Sequence, residues 1–554
     1  MRSDILRIYK SVHTWAGILA GLALFIAFYA GALTVFKEPI ARWLAPPDGG
    51  LPGVRAVTLA DTPALMAATL AARPETARDL RLDLRPAGQP GGRLSWTHSE
   101  RAAGPPGEEG EAGPRRQYTA SFDAQGGLQV SGAERSTLPV FIDTLHRVVG
   151  LPVDNDANRL VMGVVAALYA VALVSGVIVL LPTLVKDFFA LRVGRNLKRM
   201  WLDAHNVIGI VSLPFHIVMA LSAAVFAFHD DIYLLQNRVI YQGGLQNIWR
   251  GQPASGGAPA KTPVRAPTPS RDPADMLPPA ELLARVHRLS PGFEPTVMQY
   301  SDSLGPRASV RVWGGDPQGM RRSARGGYVS LDPYTGKVTS SDYLPGRQTP
   351  ALALLTSFFA LHFGTFGGTA VSWAYFMLGL AGAFLFYTGN LLWVESRRKQ
   401  ERRGQPTPLQ KRNTAWLAAL TVGVSLGCIC GISATLAAGK LLHGHVSAMG
   451  AWHVGIYYLA FFGCIAWSFW RGAAHAGGQL LRTCAVVTAL VPAASLAGFL
   501  APAATGLWAP SGLPALGVDL TAAVMSLGFF WMSRAATRRS QGEPTASVWS
   551  VRVQ

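Results

Sequence analysis

The chain alternates long apolar runs with long polar segments. Runs of about 20 apolar residues are long enough to cross the roughly 30 Å hydrocarbon core of a bilayer as helices. One run begins at His13, in HTWAGILAGLALFIAFYAGALTVF, and another begins at His205, in HNVIGIVSLPFHIVMALSAAVFAF. The pattern predicts eight membrane-spanning helices, near residues 15–37, 160–182, 206–228, 372–394, 415–438, 450–470, 482–503 and 515–535.

Basic residues in the short flanking segments predict the orientation of these spans. They cluster before the first span, between the second and third, in ESRRKQERRGQPTPLQKR after the fourth, around the sixth-to-seventh connection and after the eighth. Lys and Arg are enriched in cytoplasmic loops, so both termini are predicted to be cytoplasmic. This topology accounts for much of the net charge of +18, and nucleic acid is not an expected partner.

The first four predicted spans belong to an internal duplication. His13-x-x-x-Gly17 matches His205-x-x-x-Gly209 at an offset of 192 residues. ASFDAQGGLQV in the first copy matches VSLDPYTGKVT in the second, and each Asp with the Gly four residues later predicts a hairpin turn between strands. Each copy closes on a Leu-His pair, with His146 in DTLHRVVG and His362 in FALHFGTFGG.

The repeat unit is therefore a span, a small external α+β domain and a second span. Two such units in the same orientation predict a pseudo-two-fold axis along the membrane normal. The predicted fold is an α-helical membrane protein with about eight spans and two small α+β domains between spans one and two and between spans three and four. The predicted boundaries are 1–44, 45–145, 146–229, 230–361, 362–398 and 399–554, of which the second and fourth are the external domains and the last holds four further spans.

Four histidines recur in matched pairs at matched predicted depths. His13 and His205 lie at the cytoplasmic face, and His146 and His362 lie at the external face. Histidine in or beside a span is costly, so each is a candidate functional residue, whereas a ring bound only to a carbonyl or a lipid headgroup is the structural alternative. Two neutral imidazoles facing each other across a bundle are the axial ligands of a six-coordinate b-type haem. Gly17 and Gly209 are then expected to leave room for the macrocycle.

The other polar residues of the spans and loops allow further assignments. Zinc prefers four ligands close together, and the two pairs lie at opposite faces. His216 lies eleven residues after His205, about 16 Å along the helix, and is an alternative haem ligand. His443 and His445 are expected to be loop residues, and Cys428 of the Cys-x-Cys motif a packing residue. Exported residues of a type suited to binding a chelate are Arg307, Arg311, Trp313 and Tyr334.

On these motifs, residues 5–398 resemble the PepSY-associated transmembrane family of bacterial iron-regulated inner-membrane proteins. The better-understood members of that family are ferrisiderophore reductases. The resemblance implies a protein with two haems b that carries electrons across the inner membrane and reduces siderophore-bound ferric iron in the periplasm. The four C-terminal spans depart from the shortest members of the family.

Two other classes of function stay open at this point. The first alternative is a membrane regulator that binds protein partners through its external domains. The second is a transporter, but the matched Gly/Pro-broken spans that transporters use are missing from the sequence. The sequence contains no Gly-rich dinucleotide fingerprint, so no flavin or nicotinamide domain is expected. For a reductase, the electron donor is then a separate cytoplasmic reductase or the quinol pool.

Overall fold

A computed structural model gives the fold of residues 3–46, 57–84, 94–101, 112–134, 136–185, 197–240, 242–243, 271–316, 326–399, 410–543 and 547–551. The chain divides into two units. The helical unit is Met1–Leu44, Ser136–Asp230 and Trp373–Gln554, and the sheet unit is Ala45–Arg135 and Asp231–Ser372. Residues 136–145, which the sequence assigned to the first external domain, belong to the helical unit, whereas 362–372 belong to the sheet unit. The placement of both units relative to a membrane remains a prediction.

The strands of the two predicted external domains form one sheet rather than two. All neighbouring strands are antiparallel, in the order β4-β3-β2-β1-β5-β6-β7-β8. Each copy of the duplication contributes four consecutive strands, and the two sets join where β1 pairs with β5. The strands are β1 (Asp79–Asp83), β2 (Leu94–Arg101), β3 (Ala112–Phe122), β4 (Leu128–Glu134), β5 (Glu294–Ser301), β6 (Ser309–Gly315), β7 (Gly327–Leu331) and β8 (Val338–Tyr343).

The register of the sheet preserves the symmetry of the duplication. Leu82 of β1 pairs directly with Met298 of β5. Leu82 also pairs with Leu94 on its other side, and Met298 pairs with Val312. The two halves are therefore related by a local two-fold axis through the Leu82–Met298 pair.

Side chains on one face of the sheet form its hydrophobic core with two helices. The helices are Thr62–Ala72 and Pro279–Leu289, and each buries leucines against the strands, such as Leu65 and Leu282. Burial alternates along the strands, as in β7, where Val329 and Leu331 are buried and their neighbours are half-buried. This period of two is what a sheet with one covered face requires.

Both predicted hairpin turns are confirmed. Asp123 precedes the turn between β3 and β4, and its Oδ1 accepts the backbone N–H of Gly127 at 2.6 Å. Asp332 precedes the turn between β7 and β8, and its Oδ1 accepts the N–H of Tyr334 at 2.8 Å. The carboxylate of each Asp therefore satisfies turn amides that the strand ladder leaves unpaired.

The helical unit consists of long apolar helices with short helices at their ends. Six described helices are long and apolar enough to cross a membrane, or seven if a bent pair counts as one span. In chain order with the helices of the sheet unit, the described α-helices of eight or more residues are α1 (Ser3–Thr34), α2 (Lys37–Leu44), α3 (Thr62–Ala72), α4 (Leu138–Arg147), α5 (Asp156–Leu180), α6 (Leu197–Val211), α7 (Leu213–Ala227), α8 (His229–Val239), α9 (Pro279–Leu289), α10 (Pro350–Phe363), α11 (Gly368–Ser396), α12 (Arg412–Leu441), α13 (Met449–Leu500) and α14 (Leu513–Gly542).

The predicted third span is bent rather than straight. Its two halves, α6 and α7, meet at an angle of 72°. Pro214 lies in the first turn of α7, where its ring lacks an N–H and excludes the carbonyl of the preceding turn. The matching first span, α1, has no such break over its 32 residues, so the two copies differ here.

The helix α13 is interrupted at Gly472, where φ is 72° and ψ is 156°. Before this residue, α13 runs antiparallel to α12. Tyr457 packs beside Gly431, and Ser468 packs beside Gly423. Residue numbers at the contact therefore rise along α13 while they fall along α12.

Beyond Gly472 the chain runs in the opposite direction. The Cys484 thiol donates to the Leu426 carbonyl at 3.4 Å, and the Thr488 hydroxyl donates to Ser433 Oγ at 2.9 Å. Both contacts advance together along α12 and α13, so this half is parallel to α12. The 52 residues of α13 therefore form a hairpin of two helices, the arrangement that predicted spans six and seven require.

Candidate functional site

The side chains of His13 and His205 lie against each other inside the helical unit. His13 is on α1 and His205 on α6, and their ring centroids are 6.1 Å apart with an angle of 73° between the ring planes. Two metal–nitrogen bonds of about 2 Å, one on each side of an iron, bring the centroids of two imidazoles to about 6 Å apart. The first predicted pair is therefore brought together at a separation that fits a single metal ion.

Hydrogen bonds from other helices fix the orientation of both rings. His13 Nδ1 donates to the Ala172 carbonyl of α5 at 2.8 Å. His205 Nδ1 lies 3.1 Å from Thr388 Oγ1 of α11, whose own hydroxyl donates to the Leu385 carbonyl at 2.8 Å. Both Nδ1 atoms thus carry the hydrogen, because their partners accept. In a neutral imidazole the lone pair is then on Nε2, the arrangement found in metal-ligating histidines.

Glycines on facing helices make room for these rings. A Cβ on Gly176 would lie 2.8 Å from Cε1 of His13, and one on Gly389 would lie 3.6 Å from Cε1 of His205. A side chain at Gly176 would therefore collide with the His13 ring. The sequence repeat did not point to either glycine, because each lies on a different helix from the histidine that it faces.

The glycines of the His-x-x-x-Gly repeat have a different environment. A Cβ on Gly17 would have no heavy atom within 4 Å, and one on Gly209 would meet only Leu385 Cδ1 at 3.8 Å. No described part of the protein requires glycine at position 17. The role of Gly17 in leaving room for a flat ligand stays a prediction.

His146, like His13, is held by a hydrogen bond from its Nδ1 to a backbone carbonyl, in this case one that lies further along α1. It lies in the last turn of α4, and its Nδ1 donates to the Ala27 carbonyl at 2.8 Å. A Cβ on Gly31 would lie 2.7 Å from this Nδ1, so glycine is needed there. Ala27 follows His13 by fourteen residues, a rise of about 21 Å along α1.

His362 occupies the corresponding position of the second copy. It is the penultimate residue of α10, which ends at Gly364 in a left-handed conformation. Like His146, it lies near the C-terminus of a short helix, so the repeat extends to this detail. Because His362 belongs to the sheet unit and His146 to the helical unit, their pairing remains a prediction.

His216 is a buried histidine close to the level of His146. Its Nδ1 lies 2.6 Å from the Tyr169 hydroxyl, and its side chain is packed 5.5 Å from the ring of Phe28, next to Ala27. Its Nε2 is buried with no hydrogen-bond partner among the described residues. A buried nitrogen without a partner is costly. His216 therefore stays a candidate ligand, as the sequence suggested.

The described residues include no group of three or more His, Cys, Asp or Glu side chains able to hold a metal ion. A haem iron takes only two axial ligands from the protein, so the two-histidine arrangement fits haem better than zinc. All four cysteines, Cys428 among them, are buried thiols in the C-terminal helices, as a packing role predicts.

The four residues predicted to suit a chelate lie on β6 and in turns of the sheet unit. Arg311 and Trp313 share the uncovered face of β6, and Trp313 packs 4.6 Å from the ring of Tyr328. Arg307 lies in the preceding turn, and Tyr334 donates to the Ser303 carbonyl at 2.8 Å in the β7–β8 turn. These contacts are ordinary sheet and turn interactions, and the binding of a chelate by these residues stays a prediction.

The loop histidines also have local contacts. His445 Nδ1 donates to the His443 carbonyl at 2.9 Å, in the turn after α12. The His443 ring packs 5.1 Å from that of Trp508. Both residues are loop features, as expected.

Comparison with known proteins identifies one family. The family model described as the PepSY-associated TM region matches residues 10–396. This match covers the duplicated part of the chain, including His13, His146, His205 and His362. A comparison with curated proteins found no match.

Proposed function

The chain belongs to the PepSY-associated transmembrane family, and on that premise we propose that it is a two-haem b ferrisiderophore reductase of the bacterial inner membrane. The substrate is ferric iron held by a siderophore on the periplasmic side. Reduction to Fe(II) releases the metal, because hard oxygen chelators hold Fe(II) much less tightly. The protein is then an oxidoreductase whose product is free ferrous iron.

The observation that carries the proposal is the His13–His205 pair. The two rings are 6.1 Å apart, and each has its Nδ1 bound to a protein acceptor, which leaves the Nε2 of each ring as the atom that would ligate a metal. A bound haem supplies reversible one-electron chemistry at this position. The protein itself holds and orients the two rings, because Ala172 and Thr388 accept or share the hydrogen bonds of their Nδ1 atoms.

The second proposed site consists of His146 and His362. The hydrogen bond from His146 to the Ala27 carbonyl fixes its tautomer in the same sense as that of His13. The order of use follows from the predicted topology. A haem held by the pair near the basic N-terminal segment would lie on the cytoplasmic side, that of the electron donor, and one held by the second pair would lie on the side of the external substrate.

The electron donor is proposed to be a separate cytoplasmic reductase or quinol. No general acid, general base or nucleophile of the protein is needed, because the reaction transfers one electron to the iron and breaks no covalent bond of the chelator. What the protein contributes is the position of donor and acceptor.

The function is tested in liposomes that contain the purified haem-loaded protein. A membrane-impermeant reductant is placed on the side of the termini, and a ferric hydroxamate with a coloured Fe(II) indicator is placed on the other side. We expect Fe(II) to form at a rate that scales with the amount of protein. Rates equal to those of protein-free liposomes would reject the proposal and favour a regulator that binds protein partners.

A further inference from the structure

The four C-terminal helices enclose a buried lysine. Lys440 of α12 is fully buried, and its Nζ donates to Ser495 Oγ of α13 at 2.8 Å. The same Nζ lies 4.5 Å from the ring centroid of Trp43 and 5.2 Å from that of Trp508. A cation inside a predicted membrane bundle is costly and is a functional hypothesis by default.

A carboxylate completes this network and ties it to α2. Ser495 Oγ donates to Asp519 Oδ1 of α14 at 3.0 Å, and Trp43 Nε1 donates to the same oxygen at 2.8 Å. Trp43 belongs to α2 and has no exposed surface. Three C-terminal helices thus hold one side chain of α2. This helix is in turn joined to α4 by the ion pair of Lys37 with Asp143, at 2.9 Å.

The same bundle contacts α4 directly at both of its ends. The ring of His453 lies 3.4 Å from the hydroxyl of Thr137, which is the N-cap residue of α4. The Tyr458 hydroxyl donates to the Gly150 carbonyl in the turn that follows α4, at 2.7 Å. Between these ends, the ring of Phe141 packs 5.5 Å from that of Tyr457.

His146 lies on α4, four residues before Gly150. We propose that the C-terminal four-helix bundle positions α4, so that Lys440, Asp519 and Tyr458 act through His146 on the haem that it ligates. A shift of α4 would move the His146 ring relative to the Ala27 carbonyl and to the iron. Ligand orientation and outer hydrogen bonds set the potential of a haem. This assignment rests on the proposed function and gives the four extra spans a role.

The sharpest test removes one hydroxyl. Tyr458→Phe deletes only the hydrogen bond to Gly150. Tyr457→Phe is its matched control on the same helix, because the Tyr457 hydroxyl interacts with the Cys428 thiol of α12 and not with α4. In haem-free protein we expect amide hydrogen exchange over 138–150 to become about fivefold faster in Tyr458→Phe, the factor given by losing one ordinary hydrogen bond. Tyr457→Phe should leave exchange there unchanged.

The haem-loaded variants give the second readout. Tyr458→Phe should shift the midpoint potential and the low-temperature EPR signal of the haem bound to His146, and leave the haem bound to His13 and His205 unchanged. Equal shifts of both haems, or no change in exchange and spectra, would overturn the positioning role. The hydrogen-exchange experiment uses haem-free protein. If the protein binds no haem, the proposed function is rejected, and the exchange experiment still decides whether the C-terminal bundle positions α4.

The charged network is tested by neutralisation. Lys440→Met leaves Asp519 buried without its cation. We expect faster amide hydrogen exchange over 138–150 and a shift in the midpoint potential and EPR signal of the haem bound to His146. The double variant Lys440→Met, Asp519→Asn removes both charges and should restore both readouts toward wild type. If the single variant does not fold, the double variant and Tyr458→Phe still decide, because a wild-type haem signal in Tyr458→Phe contradicts the proposal.

Discussion

Replacing His205 with Ala is expected to halve the haem b content of the purified protein, from two per chain to one. His205 faces His13 at 6.1 Å, and the two rings are proposed to ligate one iron from opposite sides. An alanine leaves a single axial ligand and a cavity beside it, so the affinity of this site for haem should fall by orders of magnitude. Haem is counted by the pyridine haemochrome assay on protein of one oligomeric state.

The matched variants make this result specific. His13→Ala should give the same loss, whereas His445→Ala, in an exposed loop, should retain both haems. The remaining haem should keep the spectrum of a site with two histidine ligands. Equal loss of both haems from a folded His205→Ala protein would show that the assignment of His13 and His205 to one site is wrong.

Glycine variants probe the same site without removing a ligand. Gly176→Ala places a Cβ 2.8 Å from the His13 ring and should weaken haem binding by displacing that ring. Gly17→Ala meets no protein atom within 4 Å, so any haem that it loses reports a macrocycle lying beside it. Gly455→Ala, which is equally open but remote in the chain, is the control.

Replacing His362 with Ala is expected to abolish reduction of an external ferric chelate while the inner haem still accepts electrons. His13 and Ala27, whose carbonyl binds His146, are separated by about 21 Å of α1. Without the outer haem this distance has no carrier, so Fe(II) release should fall to the rate of protein-free liposomes. The inner haem and the Fe(II) indicator are followed separately in one sample.

A surface histidine of the same unit is the control for this variant. His287→Ala, on the exposed side of α9, should reduce the chelate at the wild-type rate. Fe(II) release by His362→Ala at the wild-type rate would place the electron path elsewhere. His216 would then be the next ligand to replace, because its Nε2 is buried without a partner among the described residues.

The duplication made much of the fold predictable. The hairpins at Asp123 and Asp332 follow from local turn chemistry, and the long helices follow from apolar length. The joining of two domains into one sheet was not predictable, because the β1–β5 pairing is a contact between segments more than 200 residues apart. The local sequence of an edge strand does not show whether that strand stays at the edge of its own sheet or pairs with a strand of the other domain.

The candidate site divides in the same way. His13 and His205 could be singled out because the repeat marks them, and their proximity required the structure. The residues that orient them, Ala172 and Thr388, carry no signal of their own, since a carbonyl is present at every position and threonine is common in spans. Gly176 was missed for the same reason.

Sequence also left the bent span and the C-terminal bundle unexplained. The bend at α6–α7 has a visible cause in Pro214, although a hydropathy pattern averages over it. Lys440 and Asp519 stand alone in their apolar runs, 79 residues apart in the sequence, and only packing brings them to the same serine.

The haem content of the wild-type protein tests the central claim most directly. The measurement is a reduced-minus-oxidised spectrum of the purified protein with haemochrome stoichiometry against protein concentration. Two histidine pairs predict two haems b per chain, with the α band of a six-coordinate site. One haem per chain would contradict the pairing of His146 with His362, and a featureless spectrum would contradict the electron-transfer function altogether.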